Sequence, residues 1–386
     1  MSYVRSVTER RLVLVIGAVV FVDTMFYAAI APLLPTLAHE LHLSKLSAGV
    51  MTASYPAGML VASLPGGILA VRVGPKRAVY VGLALLAAST LAFGFLQNAA
   101  ALDAARFVEG VGGACSWAGG LAWIVADVSL DRRGALIGAA VGAAIGGALL
   151  GPVLGTIANA VGRGPAFSAV VVLSLALIFQ ASRIPLVHKA SGQGIAHLGA
   201  SLRGRAMRTS MWLVALPAVA SGLVNVLGPL RLHRLGAGAA VIGGTFLAGA
   251  AIEAAISPAV GGLSDRRGRL VPMRFGLAAA AVLFACFTLP SSAAPLALLI
   301  IAIAATLGAF WAPSMAMLAD AATAHGLDQA LAAALMNLAW AAGQILGSGV
   351  GGAIAKAAGD GVPALLVTAM CATTLVALPH AYGRPE

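Results

Sequence analysis

The sequence predicts an all-α integral membrane protein with twelve transmembrane helices in two halves of six. Three observations support this: the composition, a series of long apolar runs, and a motif that recurs six runs later. Of the 386 residues, 60% are hydrophobic and only 10% are charged, whereas soluble domains carry about 25% charged residues. So little charge cannot cover a water-facing surface, and this excludes a soluble enzyme of this size.

Twelve apolar runs are each about 20 residues or longer, which is the length a helix needs to span a bilayer. They lie at 12–36, 46–70, 78–98, 100–126, 134–160, 164–182, 210–230, 238–262, 270–290, 294–320, 328–356 and 361–380. The longest polar interval separates the sixth run from the seventh. We therefore expect an N-terminal unit at 1–182, a linker at 183–209 and a C-terminal unit at 210–386. The first run ends in two prolines and not at a small-residue cleavage site, which predicts an uncleaved span.

The basic residues predict the orientation. The chain has 24 Lys and Arg against 13 Asp and Glu, but they lie in short clusters between apolar runs, which excludes a nucleic-acid groove. Eighteen of them fall on one predicted side of the membrane and five on the other, so both termini and the linker are expected to be cytoplasmic. An Ala- and Gly-rich composition with far more Arg than Lys predicts a bacterial source and thus the cell membrane.

Asp23 lies near the middle of the first predicted span. An ionisable side chain at that depth costs about 2.5–3.5 kcal/mol on insertion scales, so its presence there requires a structural or functional explanation. Tyr27, one helical turn later, can donate a hydrogen bond to the carboxylate. A carboxyl group shielded from water can bind and release a proton near neutral pH, as proton coupling requires. The alternative is a structural carboxylate bonded to neighbouring helices.

The fourth and eighth spans also hold charged residues. Arg106 and Glu109 are three residues apart, and Trp117 returns to the Arg106 face. Arg106 stays charged and can tune a nearby carboxylate, or it can form a permanent pair with Glu109 that only fixes helix packing. Glu253 stands alone among alanines. It can be a second protonation site or a counter-charge for the substrate. The alternative is a residue without function that faces a water-filled cavity.

Polar and aromatic residues in the second half are candidate substrate contacts. Asn337, Trp340 and Gln344 form one stripe on the eleventh span. With the residues above, the candidate set is Asp23, Tyr27, Trp117, Asn225, Phe310, Trp311, Asn337, Trp340 and Gln344. The alternative for the aromatic members is ordinary packing or interface anchoring. The sequence has no metal-ligand spacing and no phosphate loop, so we expect no cofactor, no metal and no ATP-driven step.

Two glycine-rich motifs stand out. The segment 66–77, GGILAVRVGPKR, follows the second span, and a similar segment at 261–269, GGLSDRRGR, follows the eighth. This recurrence indicates a duplicated bundle. In the fifth span, the run GAAVGAAIGGALLGPVLG at 138–155 removes side-chain bulk from one helix face, which lets a neighbouring helix approach closely. Generic membrane packing is the alternative for this run.

On these motifs the whole chain resembles the major facilitator superfamily, and specifically its twelve-span drug:proton antiporter branch. The segment 67–77 resembles motif A, 261–269 its second-half copy, and 106–114 motif B. The fifth-span run resembles motif C, with Thr156 where a last Gly is usual. The first span, with Asp23, is similar to that of this branch, including vesicular amine transporters. Val71 departs from motif A, which normally has an acidic residue there and with it a cytoplasmic charge lock.

The resemblance implies two six-helix bundles that rock around a central cavity and exchange protons for exported small amphipathic or lipophilic compounds, with drugs and cationic species as candidates. Proton coupling would fall to Asp23, Arg106, Glu109 and Glu253. Conformational change would involve Gly67, Arg72, Gly74, Arg77, Gly147, Gly151, Pro152, Gly155, Asp265, Arg266 and Gly268. The implied partners are a small-molecule substrate, protons and the lipid bilayer, without nucleic acid, and the protein is expected to be a monomer. A proton-coupled uptake symporter for a polar metabolite and a non-transporting receptor or scaffold are the alternatives.

Overall fold

The computed structural model describes residues 2–127, 130–185, 204–327 and 329–382, and within these ranges it contains helices and no strand. In the N-terminal half the helices are α1 (Ser2–Ala28), α2 (Ile30–Glu40), α3 (Lys45–Val73), α4 (Pro75–Phe95), α5 (Ala99–Asp127), α6 (Leu130–Val161) and α7 (Arg163–Ser182). In the C-terminal half they are α8 (Arg205–Arg234), α9 (Ala239–Arg267), α10 (Leu270–Ala285), α11 (Ala293–Ala324), α12 (Gln329–Ile345), α13 (Gly351–Ala358) and α14 (Gly361–Tyr382).

These helices correspond to the twelve predicted spans. Ten described segments are long and apolar enough to cross a membrane. The other two predicted spans are α10, which is shorter, and α5, whose apolar run is interrupted by Arg106 and Glu109. Two spans consist of more than one helix. The first breaks at Ala29, because Pro32 lacks the N–H that would bond to the carbonyl of Ala28. The eleventh contains a π-helical turn, Leu346–Val350, between α12 and α13.

Glycines in the left-handed region make the sharp turns between consecutive helices. Gly74 separates α3 from α4 with φ of 98°, and Gly162 separates α6 from α7 with φ of 93°. Gly268 and Gly359 do the same after α9 and α13, with φ of 82° and 83°. A side chain at these positions would be strained, because only glycine adopts such values freely. The short breaks between spans therefore reflect the backbone conformation of these glycines as well as the polar residues that lie there.

The described chain divides into two compact units. One contains Met1–Leu33 and Ser54–Gly192, and the other contains Leu34–Ala53 and Gln193–Glu386. The end of the first span and the start of the second thus group with the C-terminal residues. Residues 186–203 of the predicted linker lie outside the described residues, so the boundaries 1–182, 183–209 and 210–386 stay a prediction.

An aromatic cluster forms the core of the first unit. The rings of Phe26, Phe93 and Phe167 meet edge to face, with centroid separations between 4.9 and 5.7 Å. All three are almost completely buried. Edge-to-face pairs add about 0.5–1.5 kcal/mol to the stabilisation from burial alone. The cluster ties α1, α4 and α7 together and holds the middle of α1 in place.

A single carboxylate ties several helix ends of the second unit together. Asp360, in the turn between α13 and α14, accepts hydrogen bonds from Lys45 at 2.5 Å and from Arg234, and Arg231 lies 3.8 Å away. Arg231 also donates to the carbonyls of Thr288 and Pro290, at 2.7 and 3.1 Å. All three basic residues belong to the five that the sequence predicts on the non-cytoplasmic side of the membrane. In the structure they meet at one carboxylate.

Replacing Asp360 by Asn is expected to destabilise the protein by about 2 kcal/mol, because three basic groups lose their shared partner. Burial alone would raise the pKa of Asp360, but hydrogen bonds from Lys45 and Arg234 and their charges outweigh it and lower the pKa below the ordinary value of 3.8. The stabilisation is therefore complete above about pH 4 and is lost as the pH falls further.

Thermal unfolding in detergent at pH 7 and at about pH 3 measures this effect. The gap between wild type and Asp360→Asn should be large at pH 7 and should shrink in acid. The control is Asp320→Asn, since Asp320 is an exposed carboxylate paired with Arg269, and exposed pairs contribute about 0–1 kcal/mol. Equal melting of wild type and Asp360→Asn at pH 7 would contradict the assignment.

Candidate functional site

The centre of the first unit holds a buried carboxyl group in contact with a phenol. Asp23, on α1, is fully buried. Its Oδ2 accepts a hydrogen bond from the hydroxyl of Tyr55 on α3, at 2.9 Å. Its Oδ1 is buried and has no hydrogen-bond partner among the described residues, and the Trp117 side chain approaches the same carboxyl. A buried carboxyl oxygen without a partner is the atom where a proton can be added.

Glycines make the space for this contact. A Cβ atom at Gly113, on α5, would lie 2.7 Å from the Tyr55 hydroxyl and 2.9 Å from Asp23 Oδ1. One turn earlier, a Cβ at Gly110 would overlap the carbonyl oxygen of Tyr55, and one at Gly58 would overlap that of Phe107. The backbones of α3 and α5 are therefore in direct contact beside the site, and this fixes where Tyr55 meets Asp23.

Next to this carboxyl lies an ion pair that is completely buried. Arg106 Nη1 donates to Glu109 Oε2 at 3.0 Å, and the two side chains are 1% and 0% exposed. Arg106 Nη2 donates to the backbone carbonyl of Tyr27 at 3.3 Å. The guanidinium carbon also lies 5.7 and 5.6 Å from the ring centroids of Tyr27 and Tyr55. These are cation–π distances, so two of the rings around Asp23 also stabilise the arginine.

The pair is nevertheless incomplete. Arg106 Nε and Glu109 Oε1 are buried and have no hydrogen-bond partner among the described residues. A purely structural buried pair is favourable only when its remaining donors and acceptors are satisfied. Two unsatisfied atoms on a buried arginine and its partner therefore favour a role beyond packing, and each such group in a native structure needs an explanation.

The predicted glycine run forms the seam between α6 and α1. A Cβ atom at Gly147 would overlap the carbonyl of Phe21, and one at Gly155 would overlap that of Ala29. At Gly151 it would lie 2.7 Å from the carbonyl of Met25. Thr24 donates to the carbonyl of Ala144 at 2.9 Å, and Asn159 donates to that of Pro32 at 2.7 Å. These contacts lie on both sides of Asp23 along α1, so the packing of α6 fixes the position of the Asp23 carboxyl group.

Replacing Gly151 by a large residue is expected to lower the stability of the protein. In Gly151→Leu the new side chain would displace α1, and overpacking costs about 1–3 kcal/mol even where the core can relax. The matched control is Gly142→Leu on the same helix, because no atom of the described residues lies within 4 Å of a Cβ there. Thermal unfolding midpoints in detergent measure both variants. Equal midpoints would show that the seam tolerates side chains.

In the second unit, Glu253 is partly buried and packs against a glycine. A Cβ atom at Gly308, on α11, would lie 2.7 Å from Glu253 Cγ. The structure thus places the single carboxyl of the predicted eighth span in a notch of the neighbouring helix. Among the other predicted contacts, Asn225, Trp311, Asn337 and Trp340 are partly buried.

Gln344 offers a buried acceptor in the second unit. Its Nε2 donates to the hydroxyl of Ser221 on α8 at 2.9 Å. Its Oε1 is buried without a hydrogen-bond partner in the described chain, and a Cβ at Gly222 would lie 3.0 Å from that atom. The π-helical turn begins two residues later, and π-bulges occur frequently at functional sites. Sequence reasoning missed Ser221, which has no signal beyond being a polar residue in an apolar run.

Phe310 has a different environment from the other candidates. Its side chain is fully buried, and a Cβ at Gly276 on α10 would lie 3.0 Å from its ring. Phe310 therefore fills the contact between α10 and α11. This favours the packing role that the sequence left open for it.

The motif after the second span is anchored by a lysine. Lys76 Nζ donates to the carbonyls of Ser182 and Ile184, at 2.9 and 2.7 Å, where α7 ends. It also lies 5.8 Å from the ring centroid of Trp123. By contrast, Arg72 and Arg77 of the same motif are exposed. The motif thus fixes the end of α7 through a residue that the sequence analysis quoted but did not single out.

The second copy of the motif is described only in part. The side chain of Asp265 lies outside the described residues, and Arg266 is exposed. Arg269, at the end of the copy, pairs with Asp320 on α11. Among the described residues, no atom lies within 4 Å of a Cβ at Gly67, Gly261 or Gly262.

Comparison with known proteins establishes the family. A family model described as the Major Facilitator Superfamily matches residues 16–308 and 211–386, which together include nearly the whole chain. The chain belongs to the major facilitator superfamily. It is thus an all-α, multi-pass membrane transporter, and the predicted fold class is confirmed.

Solved structures of the superfamily share the fold over almost the full length. A mutant of the nucleoside transporter NupG has a TM-score of 0.76 at 13% identity and covers 96% of this chain and 100% of its own. The xylose transporter XylE from E. coli, in a partially occluded inward-open conformation, has a TM-score of 0.75 at 14% identity. The match covers 96% of this chain and 97% of the transporter. A D-xylose-proton symporter has a TM-score of 0.76 at 16% identity, and the match covers 98% of this chain and 100% of the symporter. At these identities the likeness shows the fold alone.

One curated relative is similar over part of the chain. A probable vesicular acetylcholine transporter-B from Danio rerio is 30% identical over 125 residues. The match covers 30% of this chain and only 25% of the length of the relative. The superfamily membership and the transporter fold are therefore established, whereas the branch, the substrate and the direction of transport are not.

Proposed function

We propose that this superfamily member exports small amphipathic or lipophilic compounds, including cations, in exchange for protons by alternating access. The observation that supports this most directly is the buried carboxyl of Asp23, with Tyr55 on one oxygen and no partner on the other among the described residues. A group of this kind inside a membrane helix indicates a proton or ion pathway. The Arg106–Glu109 pair beside it supplies a charge that can respond to protonation.

Exchange follows when proton and cationic substrate compete for the same negative charge. An ionised Asp23 attracts a cation, and a protonated Asp23 does not. The side chains of Tyr55 and Trp117 lie at the carboxyl, and the ring of Tyr27 packs against that of Tyr55 at 4.7 Å. Ring faces bind quaternary ammonium groups well. The resemblance of the α6 glycine run to the antiporter motif supports export. The partial similarity to a vesicular acetylcholine transporter supports a cationic substrate.

Proton-coupled uptake of a polar metabolite is a second candidate. It is favoured by Gln344, whose buried Oε1 has no partner among the described residues, together with the nearby hydroxyl of Ser221. A buried acceptor of this kind fits a substrate hydroxyl or amine, because a site that leaves it unpaired rejects apolar ligands. Glu253 would be a second protonation site in either candidate.

Transport into proteoliposomes under a pH gradient distinguishes the candidates. For export by exchange, an acidic interior should drive accumulation of the cation ethidium, and a protonophore should abolish it. For symport, an acidic exterior should drive accumulation of a radiolabelled pentose or nucleoside. Absence of gradient-driven movement of every probe in both directions would contradict proton-coupled transport of these classes.

A further inference from the structure

Tyr55 contacts the key carboxyl, although it lies in none of the motifs. Its side chain is 2% exposed, and its hydroxyl donates to Asp23 Oδ2 at 2.9 Å. Its ring lies 4.7 Å from that of Tyr27 and 5.6 Å from the guanidinium carbon of Arg106. One residue thus touches the carboxyl group, a neighbouring aromatic ring and the buried cation.

We propose that Tyr55 is a positioning residue for proton exchange: its phenol holds Oδ2 of Asp23, so that the proton binds and leaves at Oδ1. This inference rests on the proposed proton coupling. The asymmetry of the carboxyl supports it, because Tyr55 donates to Oδ2, whereas Oδ1 is buried without a hydrogen-bond partner among the described residues. The Trp117 side chain also approaches this carboxyl, but it makes no hydrogen bond to Oδ1. A neutral carboxylic acid carries its hydrogen on one oxygen only, and Oδ1 is the oxygen with the free position.

The hydrogen bond also sets how readily the proton leaves. A phenol donates more strongly to an ionised carboxylate than to a neutral acid, since charge-assisted hydrogen bonds are about twice as strong as neutral ones. Tyr55 therefore stabilises the proton-free state of Asp23. In that state the carboxylate is available to a cation, and the exchange cycle needs this state on each turn.

The other charged and titratable groups around Asp23 are few among the described residues. From α5 come the buried cation Arg106 and its acidic partner Glu109. From α1 itself comes Tyr27. The described residues of α6 that meet α1 at this level are Ala144 and the glycines of the seam. Removing the Tyr55 hydroxyl thus leaves these charges in place, so its effect can be measured separately.

Gly113 gives independent support. The phenol and the carboxyl meet against the bare backbone of this residue, where a Cβ would lie 2.7 Å from one and 2.9 Å from the other. A methyl group there has no free volume and must separate the two. Gly113→Ala should therefore reproduce the loss of the hydrogen bond without changing either partner.

The test is Tyr55→Phe, which retains the ring and deletes only the hydroxyl. A carbodiimide reacts with protonated carboxyls in membranes, so labelling of Asp23 at a series of pH values reports its protonation. We expect the midpoint of labelling, and that of gradient-driven ethidium transport, to move to higher pH by about one unit or more. Gly113→Ala should shift both midpoints in the same direction. The control is Tyr80→Phe, because Tyr80 lies on α4 near Lys76 and is not among the side chains that act on this carboxyl.

The two measurements separate the failure of this inference from that of the proposed function. Unchanged midpoints in Tyr55→Phe, with wild-type transport intact, would overturn the positioning role and leave proton coupling standing. A shifted labelling midpoint without gradient-driven transport in the wild type would retain the role of Tyr55 at the carboxyl and reject the proposed function. If Tyr55→Phe does not fold, Gly113→Ala decides: an unshifted labelling midpoint there overturns the inference.

Discussion

Asp23→Asn is expected to abolish proton-driven transport, with initial rates at least about 100-fold below wild type. The amide cannot ionise, so the site loses both its proton and its negative charge. The neighbouring carboxyl, Glu109, is already paired with Arg106. The amide has nearly the same shape as the carboxyl and can still accept the Tyr55 hydrogen bond. The protein should therefore fold and melt within a few degrees of wild type.

Two further measurements make this prediction specific. Asp23→Glu retains the charge and should keep a measurable fraction of the activity. Asp320→Asn should transport normally, because Asp320 is an exposed carboxylate paired with Arg269. Binding of a cationic ligand by Asp23→Asn should weaken and lose its pH dependence. Gradient-driven transport by Asp23→Asn at a wild-type rate would remove this residue from the mechanism.

The sequence predicted the fold well because the bilayer leaves few choices. Every spanning segment must satisfy its backbone polar groups internally, so apolar length alone indicates a helix. The runs around α4 and α8 were therefore placed within a few residues of their observed ends. The breaks inside spans were not foreseen. The π-helical turn at Leu346–Val350 depends on packing against α8, where a Cβ at Gly347 would overlap the carbonyl of Val219.

The site was predicted in part, for a related reason. Buried charges such as Asp23, Arg106 and Glu109 stand out in an apolar sequence, because each one is costly in a membrane. Tyr55 does not stand out, since a tyrosine in a span is common at interfaces and only the fold brings it within 2.9 Å of Asp23. Gly113 could not be identified from the sequence either, because its role depends on two side chains from other helices.

The Arg106–Glu109 pair offers the second large effect, and it tests whether the pair is structural or functional. Arg106→Met should destabilise the protein by about 3–5 kcal/mol, because it leaves Glu109 buried without a counter-charge. The double variant Arg106→Met with Glu109→Met should recover most of that loss, since well-packed apolar side chains often replace a buried pair without cost. The matched control is Arg269→Met in the exposed pair with Asp320, where the loss should be about 0–1 kcal/mol.

Transport by the double variant then separates the two roles. If the pair only fixed helix packing, restored stability would restore proton-driven transport as well. We expect transport to stay impaired at least about tenfold, because Arg106 also places a positive charge near Asp23. Its Nε is buried without a partner among the described residues, and methionine replaces neither feature. A double variant that is stable and transports at the wild-type rate would assign Arg106 and Glu109 to packing and leave Asp23, with Tyr55, as the whole of the proton site.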